Sequence, residues 1–132
     1  MKYLALIYAP AGASPAYGSP AFASHMAAYQ AANAVYARDG VMTAGEALQP
    51  TSTATTIRVR GGKTETMDGP FAETKEQLLG LYVVNCTDEA EAIGVARDLR
   101  RVNPTAVYEI RPIRLYIPGE PLPETAADQK PD

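Results

Sequence analysis

The order of periodic segments along the chain predicts an α+β domain: strand, helix, strand, hairpin, strand, helix, strand. Three observations carry this. Two segments, one over residues 20–39 and one beginning at Asp88, have helical apolar spacing and capping residues at their ends. Two others, residues 2–8 and 78–86, are apolar on both faces, as central strands are. Between them, Gly61-Gly62 separates two short runs as a tight hairpin loop does. Without the hairpin the order is βαββαβ, the ferredoxin-like split-βαβ pattern. Two helices cannot cover both faces of a four-stranded sheet, and a bare apolar face calls for a partner. The expectation is a symmetric homodimer packed sheet on sheet.

Composition bounds the rest. A chain of 132 residues is one domain's worth, and its 46% apolar and 20% charged residues are ordinary globular usage. A net charge of -3 argues against direct binding to nucleic acid or to an anionic membrane surface. A single cysteine excludes an internal disulfide and a cysteine-based zinc cage. No apolar run approaches the ~20 residues of a membrane span. The opening apolar run leads straight into Pro10 and Gly12, which reads as a strand and not a signal peptide, so the expected compartment is the cytoplasm.

Each element has a local reason. Residues 2–8 are rich in Tyr, Leu and Ile. Residues 10–19 hold two prolines, two glycines and two serines, and form a loop. Ser19-Pro20 reads as N-cap followed by first helical residue, since the hydroxyl can accept an orphan amide and proline at that position loses no helical bond. Phe22, Met26, Tyr29, Asn33 and Tyr36 share one stripe of this helix, and Gly40 supplies the left-handed residue that ends it. Residues 41–48 read as a strand with Met42, Ala44, Glu46 and Leu48 on one face. The hairpin, residues 55–60 and 63–67, places Arg58 opposite Glu65 and Arg60 opposite Lys63. In the strand at 78–86, Leu79, Leu81 and Val83 share one face, and Leu78, Tyr82, Val84 and Cys86 the other. Asp88-x-x-Glu91 opens the second helix, with Ala92, Val95, Ala96 and Leu99 as its buried stripe, and Asn103-Pro104 stops it. Residues 106–111 form the last strand, with 113–117 as its possible extension. The domain spans residues 1–117. Residues 118–132 contain four prolines and read as a mobile tail.

Chemistry concentrates in residues 67–77, an irregular connection holding Asp68, Glu73, Lys75 and Glu76. Asp68-Gly69-Pro70 fixes a sharp turn, and Phe71 is expected to pin it to the body by its ring. A stiff turn that holds a carboxylate at a strand end is one way to position an acid or base. Asp68 is therefore a candidate general base; its local alternative is to accept amides within its own turn. His25 is a candidate proton shuttle, because an ordinary histidine titrates near about 6.5. Its alternative is a helix-edge residue bonded to backbone or water. Glu46 shares its strand face with apolar residues and so either meets a cleft or sits at an exposed strand end. Glu73 and Lys75 either join Asp68 in a site or form a solvated ion pair. Tyr8, Tyr82 and Phe71 are candidates for a pocket wall, and Cys86 reads as a small buried hydrophobe. A lone histidine with no second ligand does not make a metal site.

The run "DGPFAETKEQLLGLYVV" at residues 68–84 resembles the signature of the DGPF branch of the YCII-related proteins. "MKYLALIY" at the start, "AGEALQP" at 44–50 and "YEIRPI" at 108–113 resemble that family's other recurring pieces, in the same order. The resemblance implies the ferredoxin-like fold, the dimeric α+β barrel and a bacterial protein of a type often encoded beside extracytoplasmic-function sigma factors. It also implies two functional expectations. One is a cofactor-free enzyme doing acid–base chemistry, of elimination or isomerisation type, on a small molecule; a histidine–aspartate pair is the usual suggestion for such sites. The other is a non-catalytic module that binds a small ligand or a regulatory partner such as a sigma factor.

Overall fold

The computed structural model describes residues 1–13, 15, 16 and 18–117. Its elements are β1 (Lys2–Pro10), α1 (Pro20–Arg38), β2 (Met42–Ala47), β3 (Thr55–Arg60), β4 (Lys63–Asp68), β5 (Glu76–Asn85), α2 (Glu89–Arg100) and β6 (Val107–Pro112). The main sheet has the order β2-β5-β1-β6 with every neighbouring pair antiparallel. This is the ferredoxin-like α+β arrangement, with long β1 and β5 at the centre. β3 and β4 pair only with each other, as a separate two-stranded sheet.

Both helices lie on one face of the main sheet. Tyr3, Ala5 and Ile7 of β1, with Tyr82, Val84 and Cys86 of β5, form the buried core with Ala92, Val95 and Leu99 of α2. Tyr29, Ala32 and Tyr36 of α1 pack against its edge, but no residue of α1 is fully buried. So α2 seals its part of the sheet and α1 stands off from it. The opposite face carries Leu4 and Leu6 of β1 beside Val83 and Leu81 of β5, and among the described elements no helix covers it.

The capping signals act as the sequence implies. The Ser19 hydroxyl accepts from the Phe22 amide at 3.1 Å, and Pro20 opens α1. Gly40, at φ 76°, follows the capping Asp39. Asp88 accepts from the Glu91 amide at 2.9 Å. Gly61 and Gly62 both have positive φ, and the hairpin register pairs Arg58 with Glu65 and Arg60 with Lys63. The ion pair that forms is diagonal, Arg60 to Glu65 at 3.6 Å.

Two bulges correct the sequence-based faces. β2 shifts register between Met42 and Ala44, so Met42 lies opposite Val84, on the core side, while Ala44 and Glu46 lie opposite Val83 and Leu81. β5 shifts opposite Ile7 and Tyr8. There Gly80 pairs with Ile7 and Leu78 with Tyr8, which places Leu79 beside Gly80 and away from Leu81 and Val83. One extra residue on a strand reverses the alternation beyond it. Another correction concerns Phe71, whose side chain does not pin the turn; it is 73% exposed. Instead the Thr56 hydroxyl donates to the Gly69 carbonyl at 2.8 Å, and the Gly69 amide donates to the Ala54 carbonyl at 2.6 Å. Residues 113–117 do not extend β6 as a strand; Ile113 adds one backbone bond to Lys2. The proline-rich tail lies outside the described residues.

Candidate functional site

Because α1 stands off from the sheet, a cavity of about 250 Å³ remains between it and the β2–β5–β1 edge. The helix supplies Phe22, His25, Met26 and Tyr29, three and four residues apart, as one helical face must. The sheet supplies Ile7, Leu79, Gly80 and Ala47. Leu79 and Gly80 both reach the wall because of the β5 bulge. Gln77 and Asn103 add amides, and Asn103 is only 7% exposed. The lining is thus mainly apolar with a few polar groups, the usual character of a small-ligand site.

Gly80 matters for the floor. A Cβ at this position would sit 2.6 Å from the Glu46 carbonyl oxygen, which is closer than a side chain tolerates. β2 can therefore lie tight against β5 only where β5 has no side chain. Glu46 enters the wall at this contact, while the residue itself is exposed and pairs with Leu81 on the side away from the core.

Behind Tyr29 and Asn103 the polar groups continue inward. The rings of Tyr82 and Tyr108 meet at a tilt of 58°, with 6.1 Å between their centroids. Burial pushes both phenols above their ordinary value; Tyr108 adds to this at Tyr82, and Tyr29 adds to it at Tyr108. Burial also raises the Tyr29 phenol, against the opposite pull of Asn33 and Tyr108 beside it. The Asn33 Oδ1 and the hydroxyls of Tyr82 and Tyr108 are buried, and among the described residues they have no hydrogen-bond partner. Farther along α1, the Tyr36 hydroxyl donates to Asp98 of α2 at 2.6 Å, and its phenol is raised to about 12 by burial and then by Asp98.

The candidates from the sequence separate into two groups. His25 and Glu46 border the cavity. Asp68 does not; it ends β4 opposite Thr55 and is exposed. Glu73 is exposed on the loop beyond it. Lys75 is exposed too, but its carbonyl accepts from the Ala11 amide at 3.3 Å, tying that loop to the segment carrying Pro10 and Gly12 at the cavity's edge. Tyr8 is half-buried on the strand face away from the core, and Phe71 projects outward. Sequence reasoning passed over Met26, Tyr29 and Asn103 as site residues. The available signal was the Phe22, Met26 and Tyr29 stripe, which runs along the helical face beside His25. Among the described residues no three of His, Cys, Asp and Glu converge as a metal site requires, and no helix is long and apolar enough to cross a membrane.

Comparison with known proteins agrees with this picture at the level of family. A family model described as the YCII-related domain matches residues 1–117. An uncharacterized protein of Rhizobium meliloti (strain 1021) is 42% identical over 121 residues, which cover 91% of this chain and 98% of the relative. With residues 1–117 matched by the family model, and a relative 42% identical over nearly its whole length, the chain belongs to the YCII-related family.

Proposed function

We propose that the protein binds a small molecule in the cavity beneath α1 and acts on it by cofactor-free acid–base chemistry of the elimination or isomerisation type. His25 handles the proton. The observation that supports this most is the meeting of the chain's one histidine with an otherwise mainly apolar cavity. A positioned general base contributes roughly 10²–10⁴-fold. Glu46 is part of the cavity wall and is the second candidate; Asp68 would act only if an assembly or a movement of the hairpin carried it there. Lys75 and Glu73 stand on the loop tied to the cavity's edge, where a ligand would pass.

The proposal extends to assembly and placement. The uncovered sheet face bearing Leu4, Leu6 and Leu81 supports a homodimer of the dimeric α+β barrel kind, with Tyr8 and Phe71 on surfaces open to the partner. The run at 68–84 supports membership of the DGPF branch, and the cytoplasm is the proposed compartment. Because His25 is the only histidine, a protein labelled at histidine Cε1 with ¹³C reports on this one position. Small fragments that bind are expected to move its resonance with saturation. Binding fragments that leave it unmoved contradict the assignment of the cavity.

A second reading has its own support. Ile57 and Val59 of the hairpin are 69% and 66% exposed, and Phe71 is exposed nearby in sequence. Exposed apolar groups of this kind suit docking onto a protein such as an extracytoplasmic-function sigma factor. Co-elution with that factor, lost on Ile57→Thr with Val59→Thr, is the result this reading expects.

A further inference from the structure

Among the described residues, Asn103 is the one with an amide or charged side chain that is buried, at 7% exposed. It also lines the cavity. Its backbone is spent in the turn that closes α2: the amide donates to the Arg100 carbonyl and the carbonyl accepts from the Ala106 amide, both at 3.0 Å. That turn fixes where the side chain sits. Tyr29 is half-buried and lines the cavity too. Asn103 and Tyr29 both stand beside Tyr108, so they share one end of the site. Burial raises the Tyr29 phenol, so it carries its proton at neutral pH. His25 lies one turn earlier on α1, on the same helical face.

We propose that Tyr29 and Asn103 hold the carbonyl oxygen of a small uncharged ketone, and that this sets the C–H next to the carbonyl against His25. The donor inventory sets the class. The phenol has one O–H and the amide two N–H groups, all neutral, and a ketone oxygen accepts such bonds. A carboxylate fails on charge: among the described residues the lining contains no lysine or arginine, and a buried anion without a counter-charge is costly. The spacing agrees. One helical turn separates His25 from Tyr29, ~6 Å along the axis, which a carbonyl and its neighbouring carbon bridge with a contact of about 3 Å at each end. Phe22, Met26 and Leu79 meet the apolar body, and a cavity of about 250 Å³ limits it to a small ring or short chain. In the reaction, His25 takes the proton from that carbon. The C–H electron pair becomes the C=C bond of an enolate, and the C=O pair moves onto the oxygen. Tyr29 and Asn103 then bond an oxygen that has gained charge, and hold it more strongly than they hold the ketone. His25 returns the proton to carbon.

This inference rests on the proposed acid–base reading, and a test with a binding arm and an exchange arm separates the two. For binding, the full chain is titrated with cyclohexanone and with methylenecyclohexane, which has the same shape and no oxygen, and amide resonances are followed. The ketone is expected to bind about tenfold tighter. Tyr29→Phe and Asn103→Leu are each expected to erase most of that preference and leave the hydrocarbon's affinity in place, while His25→Gln keeps it. For exchange, deuterium uptake beside the carbonyl of cyclohexanone is followed in heavy water, and Tyr29→Phe is expected to lose about 10²-fold of the acceleration. Thermal melts report whether each variant is folded, and Tyr29→Phe, the less buried position, carries the test if Asn103→Leu does not fold. Equal affinities for the two probes, or a preference or an acceleration intact in folded Tyr29→Phe, overturn the oxygen pair; acceleration that still depends on His25 then leaves the acid–base reading standing. A preference that Tyr29→Phe removes, in a protein that does not speed exchange, keeps the oxygen pair and overturns the acid–base reading. If neither probe binds, both fall.

Discussion

Gly80 of β5 lies against the backbone carbonyl of Glu46 on β2, so closely that a Cβ on Gly80 would stand 2.6 Å from that oxygen. This contact lets the edge strand close on the sheet and shapes the floor of the cavity. Gly80→Ala must either push β2 away or distort the bulge. We expect a loss of about 1–3 kcal/mol in denaturant unfolding, the usual cost of overpacking. Gly45→Ala is the control. Its Cβ would meet nothing closer than 3.8 Å, so a change within about 0.5 kcal/mol is expected. Equal losses at the two positions would contradict the packing account.

Tyr36 and Asp98 are the side-chain bond between the helices, at 2.6 Å. Arg101 also meets Asp98, at 3.2 Å, so removing the phenol does not strand the carboxylate. Tyr36→Phe is expected to cost about 1 kcal/mol, the ordinary net value of such a bond. Urea unfolding of the variant against the parent measures it.

The same tyrosine predicts an alkaline limit. Its phenol is raised to about 12 from an ordinary 10.0, so between those values the folded chain keeps a proton that the unfolded chain has lost. Stability from this group is therefore full below pH 10 and falls as pH rises through about 12. Tyr82 and Tyr108 shift in the same direction. The urea midpoint should drop steadily above pH 10, and less steeply in Tyr36→Phe. A flat midpoint across this range would contradict the burial of these phenols.

The second helix tests the capping reading. Asp88 caps it through the Glu91 amide, and the Glu91 carboxylate turns back to Thr87, accepting from its hydroxyl at 2.6 Å and its amide at 3.2 Å. These bonds hold the Glu91 carboxyl below its ordinary value. Asp88→Ala is expected to cost about 0.5–2 kcal/mol in thermal or denaturant unfolding. A neutral result would mean that the end of α2 frays regardless of its cap.

How far the sequence could be read follows from which forces are local. Ser19-Pro20, Gly40, Gly61-Gly62 and Asp88-x-x-Glu91 each act within a few residues, and each was legible. The strands apolar on both faces were legible because burial on two sides leaves its mark on every residue. The bulges were not, because an extra residue in a register shows no change in composition; they alone misassigned Met42 and Leu79. The site was half-legible. His25 drew notice as the only histidine, whereas Asp68 drew notice because its turn is dense in charge, and that turn stands on the separate hairpin. Tyr29 and Asn103 come together only when α1, α2 and the sheet have packed, and no spacing in the chain records that.

Assembly is open to a direct check. Leu6 pairs with Leu81 and Glu109 on the face no described helix covers. The proposed dimer predicts a solution mass of twice 14.1 kDa by light scattering, falling to the monomer mass in Leu6→Lys with the circular dichroism unchanged. A parent chain that is already monomeric would refute it.

The most direct test of the site is deuterium exchange at the α-carbon of cyclohexanone in heavy water, followed by proton resonance. The ketone fits a small apolar cavity and offers a proton to a base. The parent protein is predicted to speed this exchange, His25→Gln to lose about 10²-fold of the acceleration, and Asp68→Asn to retain it. Acceleration that survives in His25→Gln and vanishes in Asp68→Asn would contradict the account and move the chemistry from the cavity to the hairpin.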